Sequence, residues 1–259
     1  MNAVTATDAA ADRSRRHTRY FLDWARSAAP VPLSAEVDMS AIQAHRAAAR
    51  AAGGRYSVVS YLLFAAGRVL ARHPEANAAA IGRLVPRTVR FGGVHVKLAL
   101  DRAGADGVRS VGTAVIRDVD LLGLDGIQQL VDGYRDGPAE ALPGAAGLRL
   151  LGRLPAPLGR LAFRAAVASP ARRSALLGTV AVSSLGHRRV DGFHSYGGTA
   201  VTLATGRISD RAVVRDGAVA VVPALTLGLT FDHRVLDGAA AADLLDELVS
   251  LLEDWKDAP

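Results

Sequence analysis

The stretch ALTLGLTFDHRVLDG, residues 224–238, is an apolar run through Phe231 that delivers Asp232, His233, Asp237 and Gly238 into a helix-forming segment. A histidine held at the end of a buried strand, with an aspartate four residues on, is a candidate general base. Strand, tight turn and helix together fix the imidazole, and a fixed imidazole titrating near neutrality is what proton abstraction requires. Taken alone, H-x-x-x-D more often describes a structural histidine hydrogen-bonded beside a turn aspartate, because the spacing is common by chance. What surrounds the motif therefore decides its meaning.

Downstream, 239–255 places Leu244, Leu245, Leu248, Leu251, Leu252 and Trp255 on one face of a long helix. Upstream, strands are expected over 218–231, 200–208 and 178–186. Before them lie a helix over 124–134 and short strands over 94–100 and 108–116. A strongly apolar helix is expected over 57–72, closing at His73-Pro74-Glu75. The N-terminal part reads as a helix over 15–24, an extended strand over 31–37 and a helix that Ser40 caps and Gly53-Gly54 stops. This alternation indicates a mixed α/β domain. Residues 138–178 interrupt it. They are rich in Pro, Gly, Leu, Ala and Arg and read as one or two short basic amphipathic helices packing their leucines on the core, with a pocket cover or a membrane-surface element as alternatives.

A chain of 259 residues, half of them hydrophobic, buries a substantial core. The absence of cysteine excludes disulfides, thiolate metal sites and a cysteine nucleophile, and fits a reducing compartment. No apolar run reaches spanning length and the first residues carry no apolar leader pattern, so a cytoplasmic chain is expected. The net charge of +6 is unevenly spread: residues 141–190 hold eight arginines and no acidic residue. No zinc-finger spacing, recognition-helix pattern or interleaved aromatic set accompanies them. A local anion-binding or membrane-facing patch is therefore expected rather than a nucleic-acid groove.

FDHRVLDG, residues 231–238, resembles the active-site signature of the dihydrolipoamide acyltransferase catalytic domains of 2-oxo-acid dehydrogenase complexes, which are related to chloramphenicol acetyltransferase. GTVAVSSLG, residues 178–186, is similar to the family's second motif. The helix ending in His73-Pro74-Glu75 resembles the one before the family's third strand, and Arg16 precedes Asp38 by a family-like interval. The resemblance covers roughly residues 15–255. It implies a two-layer α/β sandwich of the chloramphenicol acetyltransferase type, a mixed sheet with helices on one face. One catalytic domain over 15–259 would follow a flexible tail over 1–14 and carry a basic insertion at about 138–178.

By this resemblance His233 deprotonates the attacking thiol, hydroxyl or amine, and Ser183 donates to the tetrahedral oxyanion, with Ser184 one residue away as an alternative. Asp237, paired with Arg16, holds the turn and the imidazole, Asp232 caps the turn, and Gly238 belongs to the motif. The acyl group passes directly from a thioester of coenzyme A, a carrier protein or a lipoyl group, without a metal. The site is expected between subunits of a homotrimer, histidine and serine coming from neighbours. The few residues before Arg15 hold no lipoyl-like lysine turn, which favours a free-standing acyltransferase. The eight arginines would suit coenzyme A phosphates or an acidic carrier protein. The competing expectation is a catalytically silent trimeric scaffold of a dehydrogenase or biosynthetic complex.

Overall fold

Leu225, Leu227, Leu229 and Phe231 alternate with Thr226, Gly228, Thr230 and Asp232 along one strand, so the first set enters the core and the second faces the other side of the sheet. The computed structural model describes residues 16–82, 85–103, 109–138 and 141–256. The tail expected over 1–14 lies outside these residues. The helices are α1 (Arg16–Ala25), α2 (Ser40–Ala51), α3 (Val58–Arg72), α4 (Leu124–Asp136), α5 (Ala145–Arg153), α6 (Ala156–Ala168), α7 (Pro170–Leu177) and α8 (Gly238–Glu253). The strands are β1 (Pro30–Asp38), β2 (Ala78–Ile81), β3 (Arg87–Arg90), β4 (Val96–Ala103), β5 (Arg109–Ile116), β6 (Val180–Ser184), β7 (Val201–Thr205), β8 (Ser209–Arg215) and β9 (Ala218–Asp232).

Seven strands form one mixed sheet in the order β1-β9-β7-β6-β4-β5, with β8 also paired to β9; β2 and β3 make a separate hairpin. The β4–β6 and β6–β7 pairs are parallel and the rest antiparallel. β1 lies at the edge, which accommodates Pro30 and Pro32, residues without an amide to donate. The core joins β9, β7, β6 and β4 to α2, α3, α4 and α8 on one face, through residues such as Ile42, Leu63, Ile127 and Leu248. Tyr61 and Phe64 meet Trp255 edge-on at 4.7 and 5.4 Å between ring centroids, closing the end of α8. This is the expected mixed α/β sandwich.

Two local expectations change. Ser40 is the first residue of α2 rather than its cap; Asp38 Oδ1 instead accepts from the Ser40 amide at 2.8 Å and its hydroxyl at 2.6 Å. A carboxylate two residues back reaches the free amides of the first turn better than a serine already wound into it. The basic segment forms three helices, and none of its described leucines packs on the main core. Gly159, Phe163 and Val167 recur every fourth residue and face α1, where Phe163, Val167 and Leu177 enclose Tyr20 in a second cluster. Leu150, Leu158 and Leu161 face outward. An added Cβ at Gly159 would sit 2.5 Å from the Tyr20 ring, so the close approach of α6 to α1 depends on that glycine.

Candidate active site

β9 runs straight into the candidate base. His233 follows its last residue, and the His233 amide donates to the Ala29 carbonyl at 2.8 Å, tying the turn to the chain just before β1. The amides of Val235 and Leu236 then close the turn on the Asp232 carbonyl at 2.8 and 3.2 Å. The imidazole lies against Phe231, 5.4 Å between ring centroids, and is half-exposed. Its Nδ1 stands 3.6 Å from Asp237 Oδ1, too long for a hydrogen bond and close enough for an electrostatic pair. Asp237 is the N-cap residue of α8, although its side chain makes no capping bond. A carboxylate there is favoured by the positive end of the helix.

Asp232 anchors the turn. Its side chain is only 1 % exposed and accepts from Arg234 Nε at 2.9 Å, the Arg234 amide at 3.2 Å, the Ala29 amide at 3.3 Å and the Tyr196 hydroxyl at 3.2 Å. Burial pushes this carboxyl upward, but the Arg234 guanidinium and the two amides outweigh it and hold the group below its ordinary value. The hydrogen bond that Arg234 donates to Asp232 raises the guanidinium in turn, and burial with the Asp232 charge drives the Tyr196 phenol upward. Arg234 and Tyr196 were not anticipated from the sequence. The signal for Arg234 was a cation two residues after a buried aspartate; Tyr196 is distant in sequence and only the folded loop brings it in.

Arg16 does not reach Asp237. Its Nη1 is 3.5 Å from the carbonyls of Gly152 and Leu154, at the C-terminal end of α5. Free carbonyls at a helix C-terminus form an electronegative acceptor pair, and the insertion places that pair beside the start of α1. Gly238 shows no steric need for glycine within the chain, since an added Cβ would meet open space.

Ser183 and Ser184 lie on opposite faces of β6. Ser184 shares the face of Val180 and Val182, which enter the core, and its Oγ accepts from the Gly186 amide at 3.3 Å. Ser183 shares the other face with Ala181, and its neighbours across the sheet are Ala99, Ala204 and Gly228. A histidine side chain, His194, covers Gly228, where an added Cβ would come within 3.1 Å of the ring and 2.8 Å of the Phe193 carbonyl. Gly228 precedes His233 by five residues, so Ser183 is set back from His233 by ~16 Å along the strands as well as two strands sideways. One chain does not bring the two together.

No helix among the described residues is long and apolar enough to cross a membrane.

Residues 161–258 match the family model described as 2-oxoacid dehydrogenases acyltransferase (catalytic domain). The dihydrolipoyllysine-residue acetyltransferase component of the pyruvate dehydrogenase complex of Bacillus subtilis (strain 168) is 48% identical over 52 residues, 20% of this chain and 12% of that relative. The matched segment thus spans about an eighth of the relative's length. Among solved structures, the dihydrolipoamide acetyltransferase of Azotobacter vinelandii aligns with a TM-score of 0.67 at 24% identity, covering 93% of this chain and 86% of that one. A probable dihydrolipoamide acetyltransferase from Listeria monocytogenes 4b F2365 gives 0.72 at 18% identity over 99% of both chains. A chloramphenicol acetyltransferase gives 0.54 at 16% identity over 94% and 96%. The fold is therefore that of these acetyltransferases, and residues 161–258 carry the acyltransferase family's sequence pattern, as the resemblance read from residues 178–186 and 231–238 implies.

Proposed function

We propose that the chain is an acyltransferase of the family that its residues 161–258 match, moving an acyl group from a thioester of coenzyme A, a carrier protein or a lipoyl group to a thiol, hydroxyl or amine. The observation that carries this reading is the Asp232–Arg234 turn, which holds His233 half-exposed at the end of β9 inside the matched stretch. The Azotobacter relative has been studied for the catalytic role of a serine, a histidine and an asparagine four residues after that histidine. His233 and Asp237 have the same spacing, with aspartate in place of asparagine.

In this reading His233 takes the proton of the acceptor as its heteroatom attacks the thioester carbonyl. The carbonyl electrons move onto oxygen, which the Ser183 hydroxyl stabilises. Collapse re-forms the carbonyl, breaks the carbon–sulfur bond, and the departing thiolate takes the proton back from His233. Asp237 orients the imidazole and Asp232 keeps the turn rigid. The separation of Ser183 from His233 within one chain supports a site completed by a neighbouring copy, with a homotrimer as the closed assembly. Ser183 is preferred over Ser184 because Ser184 lies on the strand face of Val180 and Val182, which enter the core, whereas Ser183 lies on the opposite face.

The test is acyl transfer by purified protein from acyl-CoA, or from a lipoyl thioester, to a thiol acceptor, in the wild type and in His233→Ala. Loss of a positioned base is expected to lower turnover by about 10²–10⁴. Unchanged turnover in the variant overturns the mechanism. A wild-type protein that assembles as a trimer yet transfers nothing points instead to a silent scaffold.

A further inference from the structure

A cavity of about 980 Å³ opens between α1, the β2–β3 hairpin and the α6–α7 segment, and five arginines line it: Arg26, Arg87, Arg164, Arg173 and Arg234. Its volume is that of a small-molecule site. The one carboxylate of the lining, Asp23, is taken by Arg160 at 2.9 Å, and Arg234 is matched by Asp232. Among the described residues no carboxylate lies within ion-pair distance of the other four arginines. Arg173 is the built part of the site. It is 3 % exposed, its Nη1 and Nη2 donate to the carbonyls of Ala80 and Gly198 at 2.7 and 3.1 Å, and its guanidinium stacks on Trp24 at 4.9 Å.

The Arg173 guanidinium spends its hydrogen bonds on carbonyls and is destabilised by burial. Asp232, which attracts it at a distance, is already bonded to Arg234, and three more cations facing the same void add repulsion. An anion is what relieves that arrangement. Several guanidinium groups around one void fit phosphate oxygens better than a single carboxylate, because each planar fork donates two parallel N–H bonds to a tetrahedral oxyanion. The lining residue Arg234 directly follows His233, so the cavity borders the turn that carries the candidate base.

We propose that this arginine-lined cavity binds the paired phosphates of a nucleotide-bearing ligand, with the phosphorylated tail of the acyl donor as its source. The identity of the donor rests on the acyltransferase reading; the phosphate chemistry does not. Two of the cations come from β3 and from α6 of the basic insertion, which gives that insertion a binding role on the side of α1.

Calorimetric titration of CoA, ADP and pantetheine into the wild type and into Arg87→Gln/Arg164→Gln tests the assignment. Both positions are exposed and unpaired among the described residues, so folding is expected to survive, and Arg26→Gln serves as an independent variant at the same rim. CoA affinity is expected to fall about tenfold or more in the double variant and to weaken with added salt, while pantetheine binding stays unchanged. A parallel fall for ADP identifies nucleotide phosphates in general as the ligand; a fall for CoA alone assigns the cavity to the donor. Equal CoA and ADP affinity in wild type and variants, or no binding of either to the wild type at millimolar concentration, overturns the proposal. Turnover of S-acetylpantetheine by the wild type tests acyl transfer without phosphates, so failure of the acyltransferase reading is distinguishable from failure of the cavity.

Discussion

Ser183 and His233 sit at different ends of one sheet: Ser183 is in register with Ala204 and Gly228, whereas His233 lies five residues beyond Gly228, past the end of β9. A hydroxyl and an imidazole so placed cannot act on one carbonyl within a single chain. Bringing them together takes a second copy of the chain, which is what the proposed trimer would supply.

Mixing inactive variants tests that arrangement. His233→Ala and Ser183→Ala are each expected to be nearly inactive alone. Co-refolded in equal amounts, they should regain about a quarter of the wild-type sites if random trimers form with one histidine and one serine per interface. No recovery in trimers shown by mass spectrometry to be hybrid rejects shared sites.

The two serines of β6 should differ sharply. Ser183→Ala is expected to lower kcat by about 10²–10³, the loss typical of one oxyanion donor. Ser184→Ala removes only a turn bond to the Gly186 amide, at a stability cost of about 1 kcal/mol, and should leave kcat within a fewfold of wild type. The reverse ranking would move the oxyanion role to Ser184.

Asp232 links stability to acid pH. Its folded carboxyl lies below the ordinary value of 3.8, so its contribution is fully present above that value and is lost as pH falls through the folded pKa. Asp232→Ala leaves the partly buried Arg234 guanidinium without its partner and is expected to cost about 3 kcal/mol, with loss of activity as the His233 turn loosens. Urea melts from neutral pH down to about 2 should show a shallower acid decline in Asp232→Asn than in the wild type.

His73 works in the opposite direction. Its Nε2 meets Glu247 at 2.6 Å and its Nδ1 meets Glu75 at 2.9 Å, fastening the end of α3 to α8. Burial lowers this imidazole, but the two carboxylates outweigh it and raise the folded pKa above 6.5. The stabilisation is therefore complete below 6.5 and is lost as pH rises through the folded value. Thermal melts at about pH 6 and pH 9 should differ more in the wild type than in Glu247→Gln, by less than about 1 kcal/mol because the pair is partly solvated.

Elements whose patterns are local are legible in the residues: the apolar strand 224–231 entering a turn and helix, the buried α3, and the leucine face of α8. The sequence also singled out His233 and the serine pair, because their neighbours carry an ordered set of motifs. Side-chain alternation on a strand has period two, so the structure separated Ser183 from Ser184 without any further signal in the residues. The tertiary structure alone decided the long-range partners. Arg16 turned to the carbonyls at the end of α5, Arg234 and Tyr196 closed on Asp232, and α6 packed on Tyr20 rather than on the main core. Such pairings depend on which surfaces meet after the sheet assembles, and guanidinium groups on long side chains can reach several acceptors at similar cost. The gathering of five arginines around one cavity belongs to the same class, since they come from the turn after α1, from β3, α6 and α7, and from the His233 turn, and share no spacing that a linear reading could detect.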